Sequence, residues 1–237
     1  MCVRVAAAAP DADPRPVRVD RFEGGPFAEN TYLLTCESSG VRVVVDPGHA
    51  VRDVILLLDD EGAVPDAVLL THAHLDHVDG IPLLLDRWPD LPVRLHAADR
   101  PLYEAVGQQA AMFGLPPVDL PPPVYDLVEG QILRYGDDIE LEILFAPGHA
   151  PGHVMFVDHA SDRALVGDVI FRGSIGRTDL PGGNHAQLLD SIAREILTLP
   201  EETELLPGHG PDTTVAFERR SNPFLQDLPT PDDGVRG

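Results

Sequence analysis

The chain contains no lysine. Its 17 basic residues are all arginine, set against 39 acidic ones, for a net charge of −22. Such a surface repels the phosphates of nucleic acids and of anionic membranes, so neither is an expected partner. The acidity suits a salt-rich setting, where charge repulsion is screened, or reflects a genome rich in arginine and alanine codons; a stability curve against KCl separates the two. Cysteine is almost as scarce, with Cys2 and Cys36 alone. Neither lies in a CxxC pair, which excludes a disulfide framework and favours a reducing compartment. Long apolar runs are missing too. No stretch approaches the roughly 20 residues of a membrane span, and Met1 to Pro16 has no hydrophobic core of a secretion signal. These absences lead us to expect a cytoplasmic protein, a monomer or small homo-oligomer. Residues 1–16 are expected to form a ragged, disordered leader and residues 17–237 a single domain.

What is present is a dense run of metal-ligand side chains. His72-Ala73-His74-Leu75-Asp76-His77 offers four of them within six residues, directly after the apolar stretch Ala67 to Leu70. Unpaired imidazoles and carboxylates are costly to bury, so this density points to a site rather than to packing. Three further places repeat the same local grammar of apolar strand, tight turn and ligand: Phe145 to His149, Leu165 to Asp168, and Leu205 to His209. Glycine at each turn permits a sharp change of direction. Seven candidates result: His72, His74, Asp76, His77, His149, Asp168 and His209. Nitrogen and oxygen ligands without a thiolate suit two divalent ions better than a structural zinc cage. A pair of ions sharing a carboxylate lowers the pKa of a bound water, and the chemistry implied is hydrolysis.

Around these blocks the pattern predicts strands at Val17 to Val19, Asn30 to Thr35, Val41 to Val45, Val93 to His96, Ile139 to Phe145, Val154 to Val157, Ala164 to Val166 and Thr203 to Leu206. Helices are expected at Val51 to Asp60, Ile81 to Trp88, Ala98 to Met112, Asn184 to Leu197 and Asp212 to Arg220. Five prolines between Leu115 and Pro123 exclude regular structure there. Two similar halves of this kind favour two sheets, each covered by helices on one face. Outside the ligand set, Arg172 and Arg177 flank a glycine-rich loop and offer a bidentate grip for a substrate carboxylate, or a structural ion pair. His185, at an expected helix start, is a candidate for substrate contact, or else a capping or surface residue. His153 is read as a group that orients a ligand.

The stretches Thr71 to Gly80, Pro147 to His153, Gly167 to Asp179 and Pro207 to Pro211 resemble the metallo-β-lactamase fold superfamily. Within it the chain is similar to the glyoxalase II group of hydroxyacylglutathione hydrolases, and more narrowly to its short bacterial members. The resemblance implies an α/β (α+β) fold, a four-layer αββα sandwich with the site at one edge. It implies that His72, His74 and His149 hold one metal ion, that Asp76, His77 and His209 hold the other, and that Asp168 bridges them, with Asp76 and Asp168 as the catalytic carboxylates. Zinc is the favoured metal, with iron or manganese as alternatives. The implied reaction is hydrolysis of a small-molecule thioester such as S-lactoylglutathione to a hydroxy acid and a thiol, by attack of a metal-bridging hydroxide. The alternatives are a persulfide dioxygenase with a single ferrous iron, or a lactonase or other hydrolase of the same fold. Long members carry a C-terminal helical domain that grips glutathione; this sequence ends soon after its last expected helix.

Overall fold

A computed structural model describes residues 4–5, 17–226 and 228. Apart from Arg4–Val5, the expected leader and Cys2 lie outside the described residues. Two sheets form the body. The first runs β1 (Arg4–Val5), β2 (Val17–Gly24), β3 (Glu29–Cys36), β4 (Arg42–Val45), β5 (Ala67–Leu69), β6 (Val93–His96) and β7 (Val124–Leu127), in that spatial order. It is antiparallel through β4 and parallel from β4 to β7. In the second half come β8 (Ile132–Tyr135), β9 (Ile139–Phe145), β10 (Val154–Asp158) and β11 (Arg163–Gly167), then a two-strand ribbon, β12 (Ile170–Phe171) and β13 (Ser174–Ile175), and finally β14 (Glu204–Pro207) and β15 (Thr213–Thr214). Without the ribbon, these strands make the second sheet, ordered β15-β14-β11-β10-β9-β8.

The period of two in the strands decides which face meets what. Val43 and Val45 of β4 meet Ile143, Val154 and Phe156 across the space between the sheets. Val44 points the other way, onto α1 (Val51–Glu61) and its neighbours. In β10, Val154 and Phe156 turn inward while Met155 and Val157 pack under the opposite helices. Helices therefore cover only the outer faces. α1, α2 (Leu75–Val78), α3 (Ile81–Arg87), α4 (Arg100–Glu104) and α5 (Val106–Met112) lie on the first sheet. α6 (His185–Ser191) and α7 (Val215–Ser221) lie on the second. The result is the expected four-layer order of helices, sheet, sheet and helices. Fully burying one of these aliphatic side chains stabilises the fold by roughly 1.5–3 kcal/mol, so the three apolar layers account for its cohesion.

Several elements differ from the sequence expectation. The helix expected over 98–112 is broken: a 3-10 turn at Ala97–Asp99 leads into α4, and Ala105 separates α4 from α5. Pro101 sits in the first turn of α4, where its missing N–H costs nothing, so a new helix starts there. The helix expected to run to 197 ends its α-helical part at Ser191 and continues as a π-type turn, Ile192–Ile196. The last expected helix begins only at Val215, because Thr213–Thr214 pair with β14 first. β7 and β8 were not expected. Residues 115–123 are irregular, as the prolines require. Among the described residues no helix is long and apolar enough to cross a membrane.

Candidate metal centre

All seven predicted ligands converge where strands of both sheets end. His72 and His74 follow β5, and Asp76 and His77 lie on the short α2. His149 sits in the turn between β9 and β10. Asp168 follows β11, and His209 follows β14. Two groups form among them. His72, His74 and His149 offer ligand atoms within 4.8 Å of one another, and so do Asp76, His77 and His209. Asp168 faces both: its Oδ2 lies 3.4 Å from His149 Nε2 and from His209 Nε2, and its Oδ1 lies 3.4 Å from His77 Nε2.

The outer nitrogen of each imidazole shows which way its lone pair points. His149 Nδ1 donates to the Arg177 carbonyl at 2.8 Å, and His209 Nδ1 to the Phe27 carbonyl at 3.0 Å. His77 Nδ1 donates to Asp46 Oδ2 at 3.1 Å. The Thr71 hydroxyl donates to Asp46 Oδ2 at 2.6 Å, so it accepts from His72 Nδ1 at 3.0 Å. The inner Nε2 of His72, His77, His149 and His209 thus faces the centre, whereas His74 turns its Nδ1 inward, 2.8 Å from His149 Nε2.

This arrangement is unsatisfied by protein atoms alone. His72 Nε2 and His149 Nε2 stand 3.2 Å apart with two lone pairs facing each other. His209 Nε2 meets Asp76 Oδ2 at 3.3 Å, a contact that is favourable only when the nitrogen carries a proton or a cation. His77 Nε2 and Asp168 Oδ1 are buried with no hydrogen-bond partner. Only positive charge relieves such contacts, so the residues fit divalent cations in both groups. The protonation of the imidazoles shows the same demand. Burial opposes charge on His77, but Asp168 and Asp76 outweigh it and hold that imidazole well above its ordinary range. At His209 burial is again outweighed, by hydrogen bonds to Asp168 and Asp76, and the group is raised to about 10. In the other group burial dominates, helped by the neighbouring imidazoles: His72 is pushed far down, and His74 falls to about 3. That group stays neutral and keeps its lone pairs for a metal.

Several residues that build the site were not singled out from the sequence. Asp46 sits at the end of β4 with φ of 48° and accepts three hydrogen bonds, the third from Thr71 N at 2.7 Å. Its Asp-Pro-Gly context signalled only a turn. Asp99 accepts from Ala73 N at 2.8 Å and Gly152 N at 2.5 Å, tying the first histidine loop to the His149 loop. Asn30 and Tyr32 on β3 reach the Pro207 carbonyl at 2.9 and 2.8 Å, fastening the His209 turn to the first sheet. No short-range pattern marks these contacts, because each partner is 25 or more residues away. His153 does what the sequence suggested: it stacks on His72 with ring centroids 4.8 Å apart and accepts from Asp168 N at 3.0 Å.

The predicted substrate residues are placed differently. The Arg172 guanidinium lies 4.5 Å above the Phe217 ring and donates to the Asp212 carbonyl. Arg177 makes a two-pronged pair with Asp179, both contacts at 2.8 Å. His185 is exposed at the first position of α6, beside the Asn184 side chain that caps that helix.

Known proteins share this architecture. The family model of the Metallo-beta-lactamase superfamily matches residues 24–209. A Bacillus subtilis protein named probable metallo-hydrolase YqgX is 39% identical over 206 residues, covering 86% of this chain and 96% of its own. Hydroxyacylglutathione hydrolase GloC of Haemophilus influenzae is 37% identical over 201 residues, covering 84% and 93% respectively. A solved structure described as TTHA1623 in a di-iron-bound form superposes with a TM-score of 0.78 at 44% identity, covering 86% of this chain and 98% of that one.

Proposed function

Because the chain belongs to the metallo-beta-lactamase superfamily, we propose that it is a binuclear metal-dependent hydrolase that cleaves a thioester of a hydroxy acid, S-lactoylglutathione being the test compound. The observation that carries the reading is the pair of cation-demanding groups joined by one carboxylate. His72, His74 and His149 would hold one ion, Asp76, His77 and His209 the other, with Asp168 contributing an oxygen to each. Bound there, two divalent ions supply Lewis acidity and a water acidic enough to attack a carbonyl at neutral pH. Zinc, iron and manganese all suit this donor set. The di-iron form of the structural relative and the printed name of the GloC relative support the metal pair and the thioester substrate.

The chain's own residues supply position and charge. Asp168 is held as a carboxylate: burial raises its pKa, but His77, His209 and His149 more than reverse this. His153 fixes the backbone from which Asp168 projects, and Asp46 fixes His77 directly and His72 through Thr71. Cleavage adds the elements of water across the C–S bond: the acyl carbon gains oxygen, and the sulfur leaves as a thiolate that takes up a proton. No protein nucleophile is required. The Thr71 hydroxyl is committed to Asp46, and Cys36 is buried on β3 with Ser38 and Asp138 as partners. A substrate carboxylate reaching Arg177 has to displace Asp179.

Elemental analysis paired with turnover tests the proposal. We expect two metal ions per chain, hydrolysis of S-lactoylglutathione, and loss of that activity in Asp168→Ala with the circular dichroism spectrum retained. A single iron per chain, with oxygen consumed on adding glutathione persulfide and no thioester cleaved, would establish the dioxygenase alternative instead.

A further inference from the structure

A cavity of about 480 Å³ opens beside the second ligand group. Of the seven ligand residues only Asp76 lines it. Its walls come from the β2–β3 loop, the start of α1, the α2–α3 segment and the proline-rich stretch, with Phe27, Leu75, Leu83 and Leu115 giving it an apolar body. Besides Asp76, its ionisable groups are His49 and Asp79, which pair with each other at 3.8 Å, and three more. Arg52 and Asp119 line it from different elements, both exposed. Glu29 also lines it, is 1% exposed, and has an Oε1 with no hydrogen-bond partner.

Arg52 is unusual in this molecule. Among arginines with described side chains, Arg52 and Arg220 alone make no hydrogen bond, ion pair or ring contact with another residue. With 39 acidic residues available, an unpaired arginine needs a reason. Helix stability is not one: Arg52 is the second residue of α1, and a cation in the first turn opposes the helix dipole. Asp119 is likewise without a partner among the described residues. Besides the His49–Asp79 pair, the cavity therefore presents one free cation, one free anion and one buried carboxyl with a single unpartnered oxygen around an apolar body, next to a candidate metal-ligand aspartate.

We propose that this cavity holds the thiol half of the substrate, and that the half it fits is a small zwitterionic peptide. Arg52 takes a carboxylate, Asp119 takes an ammonium group, and Glu29 takes an amide. The assignment rests on the thioester reading above, and it places the thiol grip on α1 and the proline-rich stretch, away from Arg172 and Arg177. It also explains how a chain of net charge −22 retains an anionic substrate: a local cation at the mouth of a low-dielectric cleft counters the overall field.

The test uses the metal-loaded protein with two thioesters, S-lactoylglutathione and the uncharged S-lactoyl-N-acetylcysteamine, and with S-hexylglutathione as a non-hydrolysable ligand in calorimetry. Arg52→Gln should raise KM for S-lactoylglutathione about fivefold, the fold-change of a charge pair at a partly exposed mouth, with the effect on KM rather than kcat. KM for the uncharged thioester should move less than twofold, and Kd for S-hexylglutathione should rise in step with the peptide KM. Asp119→Asn should act in the same direction, and Arg220→Gln, the other unpaired arginine, should change none of these. An Arg52→Gln protein with unchanged KM and Kd, or with both thioesters weakened alike, overturns the assignment. A wild-type protein that hydrolyses neither thioester defeats the thioester reading; the calorimetric Kd of wild type and Arg52→Gln then still decides what the cavity binds.

Discussion

Replacing Asp46 with asparagine should disable one metal group while leaving the fold intact. Asp46 accepts from Thr71 N, from the Thr71 hydroxyl and from His77 Nδ1, and it is 2% exposed. Asparagine has the same shape and tolerates a φ of 48° at least as well as aspartate, so the backbone is not a confounding factor, as it is with alanine. One side-chain oxygen survives to accept from Thr71 N. The amide group then replaces Oδ2 and donates where a carboxylate oxygen accepted. His77 can meet a donor only by turning its Nδ1 into an acceptor, which moves its proton to Nε2, 3.4 Å from Asp168. An imidazole protonated at Nε2 cannot bind a metal through that atom. Loss of such an outer partner weakens metal binding about 10- to 100-fold, and the unmatched polar groups cost the apoprotein roughly 1–3 kcal/mol. The group containing His72 is affected less, because the Thr71 hydroxyl can still accept from His72 Nδ1. Competitive titration of apoprotein with zinc against a chromophoric chelator reads the two affinities separately, and urea unfolding of the apoprotein gives the stability cost. Two unchanged affinities in Asp46→Asn would refute the reasoning, because they would show that the His77 tautomer is set by something other than Asp46.

Three further outcomes follow from the geometry. Gly208→Ala places a methyl group against Asp168 Oδ1 and 2.7 Å from His77 Cε1; displacing either should cost about 100-fold in turnover and lower the metal count, while far-ultraviolet circular dichroism stays the same. Burial raises the Asp99 carboxyl to about 6 despite its bonds from Gly152 and Ala73. The stability this contributes is present below the unfolded pKa near 3.8 and is lost as pH rises through about 6. The apo stability of the wild type relative to Asp99→Asn should therefore fall by about 3 kcal/mol across that window, at 1.36 kcal/mol per pH unit; a constant difference in urea melts would contradict it. Asn30→Ala removes the side-chain donor to the Pro207 and Gly210 carbonyls; it should weaken binding in the His209 group more than in the three-histidine group, read by the same chelator titration.

The candidate ligand set was legible because its members lie close after strand ends, four of them in one six-residue block that runs into α2 and the other three each past a glycine. Phe145 to His149 and Leu205 to His209 carry that signal unaided. Fold class was legible for a related reason: the short, wholly apolar runs Val43-Val44-Val45 and Val154 to Val157 read as strands buried on both faces. The supporting residues were hidden because their meaning is long-range. Asp46 reads as a turn until Thr71 and His77 are brought to it, and Asp99 reads as a helix residue until two loops close on its carboxylate. β7 and β8 escaped notice because each has four residues, flanked by prolines or by a tight glycine turn. Helix 98–112 was over-extended because its apolar spacing continues through Ala105, where the backbone breaks. The free state of Arg52 shows in no motif, since only the structure reveals which arginines already have partners.

The two ligand groups are each divided between the sheets, and this bears on the order in which the protein can be made and loaded. His72 and His74 leave the ribosome long before His149, and Asp76 and His77 long before His209. Until the second sheet has closed on the first, a nascent chain offers either group only two of its three ligands and lacks Asp168. Tight metal capture by either group would therefore wait until the two sheets meet, as they do where Asn30 and Tyr32 contact Pro207. A metal ion held by either group would then act as a latch across the two halves, and its occupancy would report that synthesis and closure are complete.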